Sequence, residues 1–483
     1  MSDLAVLEIS AWLLSALHLL GLFAAVDALF KARTAQGAIA WLLALLLLPL
    51  LSLPAYLLFG TRKFQGYTNA RRVDDARVRR LTRRIDHELV SRVRAPFDSR
   101  HPEYHTFERL VRLPFARFNH CELLIDGEAT FSALFAALEQ ARSYVLAQFY
   151  IVRDDALGRR FAAALIACVR RGVSVRLLYD AIGSHALPSA YLHDLRDAGV
   201  KLSAFGGAPE RKRKSWRFQV NFRNHRKVVV IDGHTTFVGG HNVGDEYLGK
   251  DPSLRPWRDT HVMVRGPAAL GAQLSFLEDW YWMTGEVPSL RWEFEPSEAV
   301  GDQRVLVLPS GPADDVETCS LMFIQLIDAA RERIWIVSPY FVPDEAVIAA
   351  LQLAVFRGVD VRILLPRRPD HRLVWLAAFA YLEETVGQGI RVFRYLDGFL
   401  HQKVALIDDR YAAVGTANLD NRSFRLNFEI TLLFADGGMT GAVERMLRRD
   451  FHRAVEFRRE EIDRQGALFR FGARLARLFA PVL

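Results

Sequence analysis

The sequence predicts an α/β protein in which an N-terminal two-helix transmembrane hairpin precedes two packed α/β domains that share one active site. Three observations predict it: an uncharged segment near the N-terminus, two stretches in which apolar strands alternate with helix-like runs, and a polar motif that occurs once in each stretch. A chain of 483 residues with 51% hydrophobic residues can form about two to four domains with large cores.

The transmembrane hairpin is predicted over residues 1–62. Every position from 38 to 59 is uncharged, and a helix of that length is about 33 Å long, which matches a hydrocarbon core of about 30 Å. A second apolar stretch, residues 4–30, is interrupted only by Glu8, His18 and Asp27. No Lys or Arg precedes it, which argues against a cleaved signal peptide. The two helices are joined by a short loop at residues 31–36.

The charges that flank the two apolar stretches predict the orientation of the hairpin. The connecting loop carries Lys31 and Arg33, whereas the segment after the second stretch carries Arg62, Lys63, Arg71 and Arg72. By the positive-inside rule the more basic side is cytoplasmic. We therefore expect the N-terminus and the catalytic domains in the cytoplasm.

The rest of the chain divides by composition and by an internal repeat. Tyr144–Ala156 and Arg171–Asp180 are strand-like segments separated by a helix-like run, and Arg333–Glu345 and Arg357–Pro366 repeat that order. This is the pattern of βαβ units. The predicted boundaries are a membrane-proximal linker at 63–118, a first domain at 119–300, a second domain at 301–458 and a basic amphipathic helix at 459–483.

A histidine–lysine–aspartate motif occurs once in each domain, and each copy is followed by a glycine and an asparagine. Random placement of residues at these frequencies predicts roughly 0.015 copies of HxKxxxxD, so two copies indicate function. Strand alternation puts the histidine and the lysine on one face. The motif residues are His225, Lys227, Asp232 and Asn242 in the first domain, and His401, Lys403, Asp408 and Asn418 in the second.

These residue types suit chemistry at a phosphate group. Lysine ammonium and asparagine amide groups can hold phosphate oxygens, while one histidine attacks phosphorus and the other protonates the leaving oxygen. A carboxylate behind each histidine would fix its tautomer, and Asp259 and Glu429 occupy matching places for this. We expect Asp232 and Asp408 to hold the motif together rather than to touch substrate.

Other sequence features bear on ligands. No acidic cluster accompanies the motifs, and the three cysteines lie far apart, so we expect neither a metal nor another cofactor. The net charge of +8 predicts an anionic partner. The basic loop Arg211–Phe218 could attract lipid headgroups or nucleic acid, and the helix at 459–483 could lie on a membrane or dock on the catalytic core.

The duplicated motif resembles the phospholipase D superfamily over residues 119–458. Within it, the chain is similar to the bacterial cardiolipin synthases with two membrane helices, through the segments Gly239–Gly249, Trp257–Ala268, Leu308–Pro312 and Asn418–Glu429. One departure is that the position after the first motif glycine, commonly serine in the superfamily, is Gly240 in one half and Thr416 in the other.

The resemblance implies phosphatidyl transfer between two phosphatidylglycerol molecules through a phosphatidyl-histidine, with His225 as nucleophile and His401 as general acid and base. It implies a multi-pass protein of the bacterial inner membrane whose monomer suffices for catalysis and which needs no nucleic acid. The alternatives are hydrolysis by water, as in a phospholipase D, or transfer to serine, as in a phosphatidylserine synthase. A nuclease and a catalytically silent membrane scaffold fit the sequence less well.

Overall fold

The computed structural model describes residues 3–32, 34–60, 92–96, 101–206, 221–295 and 299–483. The predicted basic loop Arg211–Phe218 and much of the predicted linker at 63–118 lie outside the described residues. Within that linker range, the structure describes a helix α4 at Glu103–Val111. Its Tyr104 and Phe107 are buried against Tyr411 of the second half.

The N-terminal region forms three apolar helices: α1 at Asp3–Lys31, α2 at Ala35–Leu47 and α3 at Pro49–Phe59. Among the described residues, α1 is the one helix that is both long and apolar enough to cross a membrane. The prediction of one continuous second helix over residues 38–59 was wrong. The helix stops at Leu48, whose ψ is 54°, because the ring of Pro49 disfavours helical geometry at the preceding residue and removes an N–H donor.

The three N-terminal helices pack against one another. Ala25, Ala28, Leu45 and Tyr56 are buried between them. Tyr56 donates its hydroxyl to Asp27 at 2.8 Å, and the same carboxylate pairs with Lys31 at 2.7 Å. Asp27 is the one acidic residue of the candidate span Trp12–Lys31, and its carboxylate therefore has two partners inside the helix cluster.

The described residues of the first half form nine strands and four helices, including the predicted strand–helix–strand unit. Its strands are β1 Ala116–Ile125, β2 Tyr144–Phe149, β3 Ser174–Asp180, β4 Lys201–Phe205, β5 Arg223–Asn224, β6 Val228–Ile231, β7 Thr235–Gly239, β8 Trp257–Arg258 and β9 Thr260–Arg265. Its helices are α5 Asp126–Gln140, α6 Ala156–Arg170, α7 Ser189–Asp197 and α8 Ala268–Thr284, and a 3₁₀ turn lies at Asp245–Leu248.

The second half repeats this order. Its strands are β10 Gln303–Ser310, β11 Arg333–Val337, β12 Phe341–Val342, β13 Asp360–Pro366, β14 Arg391–Tyr395, β15 Phe399–Leu400, β16 Val404–Ile407, β17 Tyr411–Gly415, β18 Leu419–Asp420, β19 Asn427–Phe434 and β20 Ala454–Phe457. Its helices are α9 Thr318–Ala329, α10 Glu345–Phe356, α11 Arg372–Val386, α12 Asn421–Arg425 and α13 Gly437–His452.

The two halves contribute to one continuous sheet in the order β20-β14-β13-β11-β16-β17-β19-β10-β1-β9-β7-β6-β2-β3-β4. The halves join where β1 pairs antiparallel with β10, at Ala116 with Val305 and Asn119 with Gln303. The sequence predicts two packed domains, and the structure joins them by an edge-to-edge strand pairing as well. β17 also packs against β7 and β9, so the interface itself is part of the main core.

Two short strands cross from one half to the other. β5 pairs in parallel with β19, and β15 pairs in parallel with β8. His225 follows β5 directly and His401 follows β15 directly. Each motif histidine is therefore held, through its backbone, by a strand of the opposite half.

The chain ends in two helices, α14 at Arg459–Asp463 and α15 at Ala467–Arg477, and a 3₁₀ turn at Ala480–Val482. One face of α15 docks on α11, where the Phe469 ring lies 4.9 Å from Phe379 and 5.9 Å from Trp375 between ring centroids. The other face leaves Leu468, Phe471 and Leu475 exposed. Of the two arrangements that its sequence pattern allows, the structure shows docking on the catalytic core, and contact with a membrane stays a prediction.

Candidate active site

His225 is a buried imidazole whose orientation is set by the second half. Its backbone N–H donates to the Phe428 carbonyl at 2.9 Å, and its Nδ1 lies 3.0 and 2.9 Å from the two carboxylate oxygens of Glu429. Only 8% of the residue is exposed. Because Nδ1 is engaged by Glu429, Nε2 is the ring nitrogen left for chemistry.

His401 has the corresponding environment with the halves exchanged. Its N–H donates to the Arg258 carbonyl at 2.8 Å, and its Nδ1 lies 2.7 Å from Oδ2 of Asp259. The Trp257 ring packs against the imidazole with centroids 4.9 Å apart. Each of the two predicted carboxylates therefore contacts the histidine of the opposite domain, a pairing that the sequence did not specify.

The two motif lysines lie fully buried beside the histidines. Lys227 donates to the His225 carbonyl at 2.7 Å, and its ammonium lies 5.4 Å from the centre of the Tyr150 ring. The Lys403 ammonium lies 2.9 Å from both ring nitrogens of His401. Neither ammonium forms an ion pair with a carboxylate of the described chain. The carboxylates of Glu429 and Asp259 act on both lysines only at longer range. A buried cation without a direct ion pair is unfavourable, which makes this a place suited to an anion.

The pKa values of these groups are shifted by burial above all. Burial lowers the pKa of His225 to about 4, with the charges of Lys227 and Lys403 adding to the effect against the opposing charge of Glu429. Burial also lowers the pKa of His401 well below its ordinary value and that of Lys403 to about 8. Charges of both halves are thus among the causes of these shifts, in agreement with the contacts of Glu429 with His225 and of Asp259 with His401 between the halves.

The motif aspartates lie away from the histidines, at tight turns. Asp232 and Asp408 have φ of 53° and 50°. The Asp232 carboxylate accepts three backbone N–H bonds at 2.7 to 2.9 Å from residues 142–144, and Asp408 does the same with residues 331–333 at 2.8 to 2.9 Å. They fasten the strand of each motif to the start of the neighbouring strand.

The two motif asparagines differ in their hydrogen bonds. Asn242 accepts from the Ile151 N–H at 3.0 Å and donates to the Tyr247 hydroxyl at 2.9 Å. Both the oxygen and the nitrogen of its side-chain amide therefore have a partner within the protein. The buried Oδ1 of Asn418 has no partner in the described part of the chain. Its backbone N–H donates to Ser423.

The sequence analysis did not identify the residues that orient Glu429. Thr416, Ser423 and Asn427 donate to its carboxylate at 2.6, 2.8 and 3.1 Å. Thr416 occupies the position after the second motif glycine. Because its hydroxyl donates to the Glu429 carboxylate, that hydroxyl is not available to a ligand. At the equivalent Gly240, an added Cβ would overlap the Asp259 carboxylate. In the first half, glycine replaces the serine that is common in the superfamily because a side chain at position 240 would collide with Asp259.

Two buried ion pairs support the motif segments, and neither was predicted. Arg226, between the motif His and Lys, pairs with Asp279 of α8 at 2.8 Å. Arg258 pairs with Asp450 of α13 at 2.8 Å, and Gln402 donates to the same carboxylate at 2.8 Å. The only sequence signal was a polar residue at the middle position of each HxK. Within the described residues, no group of three or more His, Cys, Asp or Glu side chains could hold a metal ion.

Comparison with known proteins agrees with this geometry. The family model "Cardiolipin synthase, PLD-like domain" matches residues 134–254 and 323–451. A cardiolipin synthase A of Pseudomonas putida is 51% identical over 480 residues, which cover 98% of both chains. The chain belongs to the cardiolipin synthase family. It is thus an enzyme of the phosphatidyltransferase class with phospholipase D-like domains.

Further relatives match over the same extent. A cardiolipin synthase A of Pseudomonas fluorescens is 51% identical, with 99% of both chains covered. The family model "Phospholipase_D-nuclease N-terminal" matches residues 19–60, which contain the C-terminal part of α1 together with α2 and α3. Among solved structures, a phosphatidylserine synthase of Haemophilus influenzae aligns with a TM-score of 0.57 at 16% identity, covering 79% of this chain and all of that one. This last likeness concerns the fold alone.

Proposed function

We propose that this cardiolipin synthase family member transfers a phosphatidyl group from one phosphatidylglycerol to another, giving cardiolipin and glycerol. The observation that carries the proposal is the pair of buried histidines, each with Nδ1 held by a carboxylate of the opposite half, beside two buried ammonium groups without carboxylate partners. Two histidines and two cations are what a two-step exchange at a phosphodiester needs.

In the first step, Nε2 of His225 attacks phosphorus, and the bond from phosphorus to the glycerol oxygen breaks. Since the pKa of His225 is lowered to about 4, the ring is neutral and nucleophilic at neutral pH. His401 gives a proton to the departing oxygen. A phosphodiester anion bound beside Lys403 raises the pKa of His401 through its charge, which allows His401 to carry that proton.

In the second step, His401 removes the proton from a headgroup hydroxyl of the second phosphatidylglycerol. That oxygen attacks phosphorus, the bond to His225 breaks, and cardiolipin leaves. Lys227 and Lys403 stabilise the phosphate oxygens, whose charge increases in the transition state, and Asn242 and Asn418 contribute amide groups. Asp259 and Glu429 keep each imidazole oriented. Asp232 and Asp408 hold the strands that carry the motifs.

We also propose that the N-terminal helices cross the bacterial inner membrane twice, with the catalytic domains in the cytoplasm. α1 would form one span, and α2 with α3 would form the other, with a kink at Leu48. Reporter fusions after residues 33 and 62 test this: activity of a cytoplasmic reporter at 62 and of a periplasmic reporter at 33 is expected. The reverse pattern would contradict the orientation.

Mass spectrometry of products tests the reaction. Purified protein, phosphatidylglycerol in mixed micelles, EDTA and no nucleotide are combined, with His225→Ala and His401→Ala run in parallel. Cardiolipin with an equal amount of glycerol, absent in both variants, is expected. Phosphatidic acid as the main product would instead identify a hydrolase, and phosphatidylserine formed on adding serine would identify a different acceptor.

The covalent intermediate tests the roles of the histidines. Rapid quenching with labelled phosphatidylglycerol should place the adduct on the peptide that contains His225. An adduct on His401 in wild-type protein would reverse the two roles while leaving the overall reaction in place.

A further inference from the structure

The second motif asparagine has a buried oxygen that is free for a ligand. Asn418 is 5% exposed, and its Oδ1 has no hydrogen-bond partner among the described residues. Burial raises the pKa of Asp420 to about 6, and a hydrogen bond from the Asn418 side chain to this carboxyl opposes the rise. That bond uses the amide nitrogen of Asn418, because a carboxylate accepts. The amide oxygen is therefore the atom left without a partner.

The corresponding oxygen of the first half is occupied by the protein itself. Ile151 donates its backbone N–H to Oδ1 of Asn242 at 3.0 Å. A parallel bridge between Val152 and Val243, the residues that follow these two, holds the two segments together. The first asparagine is thus closed to a hydroxyl donor from a ligand.

Tyr340 takes the place of that backbone donor in the second half. Phe341 pairs in parallel with Leu419, the residue after Asn418, so Tyr340 lies beside the asparagine. The Tyr340 N–H donates to the Ser338 hydroxyl at 3.3 Å instead of to the asparagine. The two halves therefore differ at this point, and only the second leaves its amide oxygen free.

Tyr340 connects the free amide oxygen to a carboxylate. Its hydroxyl donates to Oδ2 of Asp370 at 2.6 Å, and the other oxygen of Asp370 accepts the His371 N–H at 2.8 Å. Because the Tyr340 hydroxyl has given its proton to Asp370, its oxygen is left to accept. The Asp370 side chain is 21% exposed, and an ionised carboxylate has about four acceptor positions, so it keeps room for a ligand.

These groups lie on the His401 side of the active site. Burial lowers the pKa of Lys403 to about 8, and Asp370 is among the carboxylates whose charge opposes this. Burial also lowers the pKa of His401, and the charge of His371 is among the further causes. The strand pairing and these charges therefore place Tyr340 and Asp370 next to the second motif.

The chemistry of this group suits a ligand with several hydroxyls. We call Oδ1 of Asn418, the Tyr340 hydroxyl oxygen and the Asp370 carboxylate the hydroxyl subsite. All three are hydrogen-bond acceptors, and a phosphate oxygen, which also accepts, does not complement them. Hydroxyl groups donate, and a glycerol headgroup carries two of them on neighbouring carbons.

We propose that the hydroxyl subsite binds the glycerol headgroup of the acceptor phosphatidylglycerol through the hydroxyl next to the one that reacts. The proposal rests on the proposed function, in which His401 deprotonates the reacting hydroxyl. The amide nitrogen of Asn418 keeps a second N–H for the phosphate. Water and simple alcohols lack the neighbouring hydroxyl, so the subsite favours a polyol as acceptor.

A competition between two alcohols tests the proposal. Protein in mixed micelles receives phosphatidylglycerol with equal concentrations of isotopically labelled glycerol and propan-1-ol, which has the reacting hydroxyl and lacks the other two. The phosphatidyl-enzyme then divides between labelled phosphatidylglycerol and phosphatidylpropanol. We expect the ratio of these products to fall about tenfold in Asp370→Asn and about threefold in Tyr340→Phe.

Asp328→Asn is the matched control. Its carboxylate lies on α9 and is 68% exposed, and we expect the wild-type ratio in this variant. Both products come from one intermediate, so the ratio does not depend on how much of a variant is folded. The wild-type ratio in both Asp370→Asn and Tyr340→Phe overturns the proposal even where total turnover falls, as does an equal fall in Asp328→Asn.

Ethanolamine as the competing alcohol distinguishes a hydroxyl subsite from a site for an ammonium group. If Asp370→Asn selectively loses transfer to ethanolamine and keeps the wild-type ratio of glycerol to propan-1-ol transfer, the carboxylate binds a cation and the proposal is wrong. Failure of the proposed function is distinct from these results, because wild-type protein would then give phosphatidic acid and no transfer product with any alcohol.

Discussion

At the scale of single residues, the active site is governed by buried charge. Lys227 and Lys403 lie among groups that the protein has removed from water, without a carboxylate partner among the described residues. Their ammonium groups are therefore unfavourable until an anion approaches. In the proposed mechanism the substrate phosphate supplies that charge, so we expect binding and catalysis to depend on the same two side chains.

The pH dependence of activity should reveal the ionisation of the Lys403 ammonium group. Its pKa is lowered to about 8 by burial, so the ammonium loses its proton as pH rises through about 8. We expect kcat/KM to fall above that pH, and we expect Lys403→Arg to move the fall beyond the accessible range, because guanidinium stays charged. The exposed Lys250→Arg is the control. If the fall in kcat/KM at high pH persists unchanged in Lys403→Arg, the loss of a proton from another group causes it.

Gly240 is expected to be essential for the orientation of His401. In Gly240→Ala the new methyl group overlaps the Asp259 carboxylate, which must move away from the imidazole. Displacement of a catalytic group by about 1 Å costs about a hundredfold in rate, and we expect a loss of that size in kcat with little change in KM. Gly466→Ala, where nothing lies within 4 Å of an added Cβ, provides the comparison. Wild-type kcat in Gly240→Ala would show that the carboxylate has room to relax.

At the scale of elements, two short strands position the motif histidines, and the C-terminal helix α15 packs on the core. β5 and β15 contain two residues each, yet they place both histidines against the opposite half. α15 supports α11 on one face and leaves an apolar face exposed. The same helix therefore packs on the catalytic core with one face and exposes an apolar face, for which contact with lipid stays a prediction.

A matched pair of variants can distinguish how much each face of α15 contributes to the stability of the protein. Phe469→Ala removes a ring that packs on Phe379 and Trp375, and we expect a loss of about 2 kcal/mol in the free energy of unfolding. Phe471→Ala removes an equal ring that is 65% exposed, and we expect a change within about 0.5 kcal/mol. Thermal unfolding in detergent measures both. Equal destabilisation would mean that the exposed face is also packed.

At the scale of the whole molecule, the duplicated halves are joined through their motif histidines and through one sheet. Each histidine needs a carboxylate from the other half, and the sheet runs through both by the pairing of β1 with β10. A single half would lack the partner of its own histidine and would expose the edge of its sheet. Because the two halves share one buried core, we expect them to fold together.

Mixing two inactive proteins tests whether one chain holds a complete site. His225→Ala and His401→Ala proteins are assayed for cardiolipin separately and as an equimolar mixture. We expect no activity beyond the sum of the two, because both histidines must come from the same chain. Recovered activity in the mixture would show that the site can be assembled from two chains.

Much of this architecture followed from local sequence. The two HxKxxxxD motifs, their asparagines and the strand–helix–strand order depend on spacing along the chain, and spacing is visible in sequence. The break at Leu48 also had a local cause in Pro49, but the uncharged run around it favoured a single span. Thr416, Ser423 and Asn427 were missed as donors because isolated hydroxyl and amide groups carry no pattern.

The sequence by itself determined the chemistry of the site: two histidines, two lysines, two carboxylates and an apolar N-terminal region. Only the tertiary structure decided that Glu429 serves His225 and Asp259 serves His401, and that the halves share one sheet. These contacts join residues more than 140 positions apart. Such pairings depend on how two similar domains dock, and their sequences are equally compatible with carboxylates of the same half or of the opposite one.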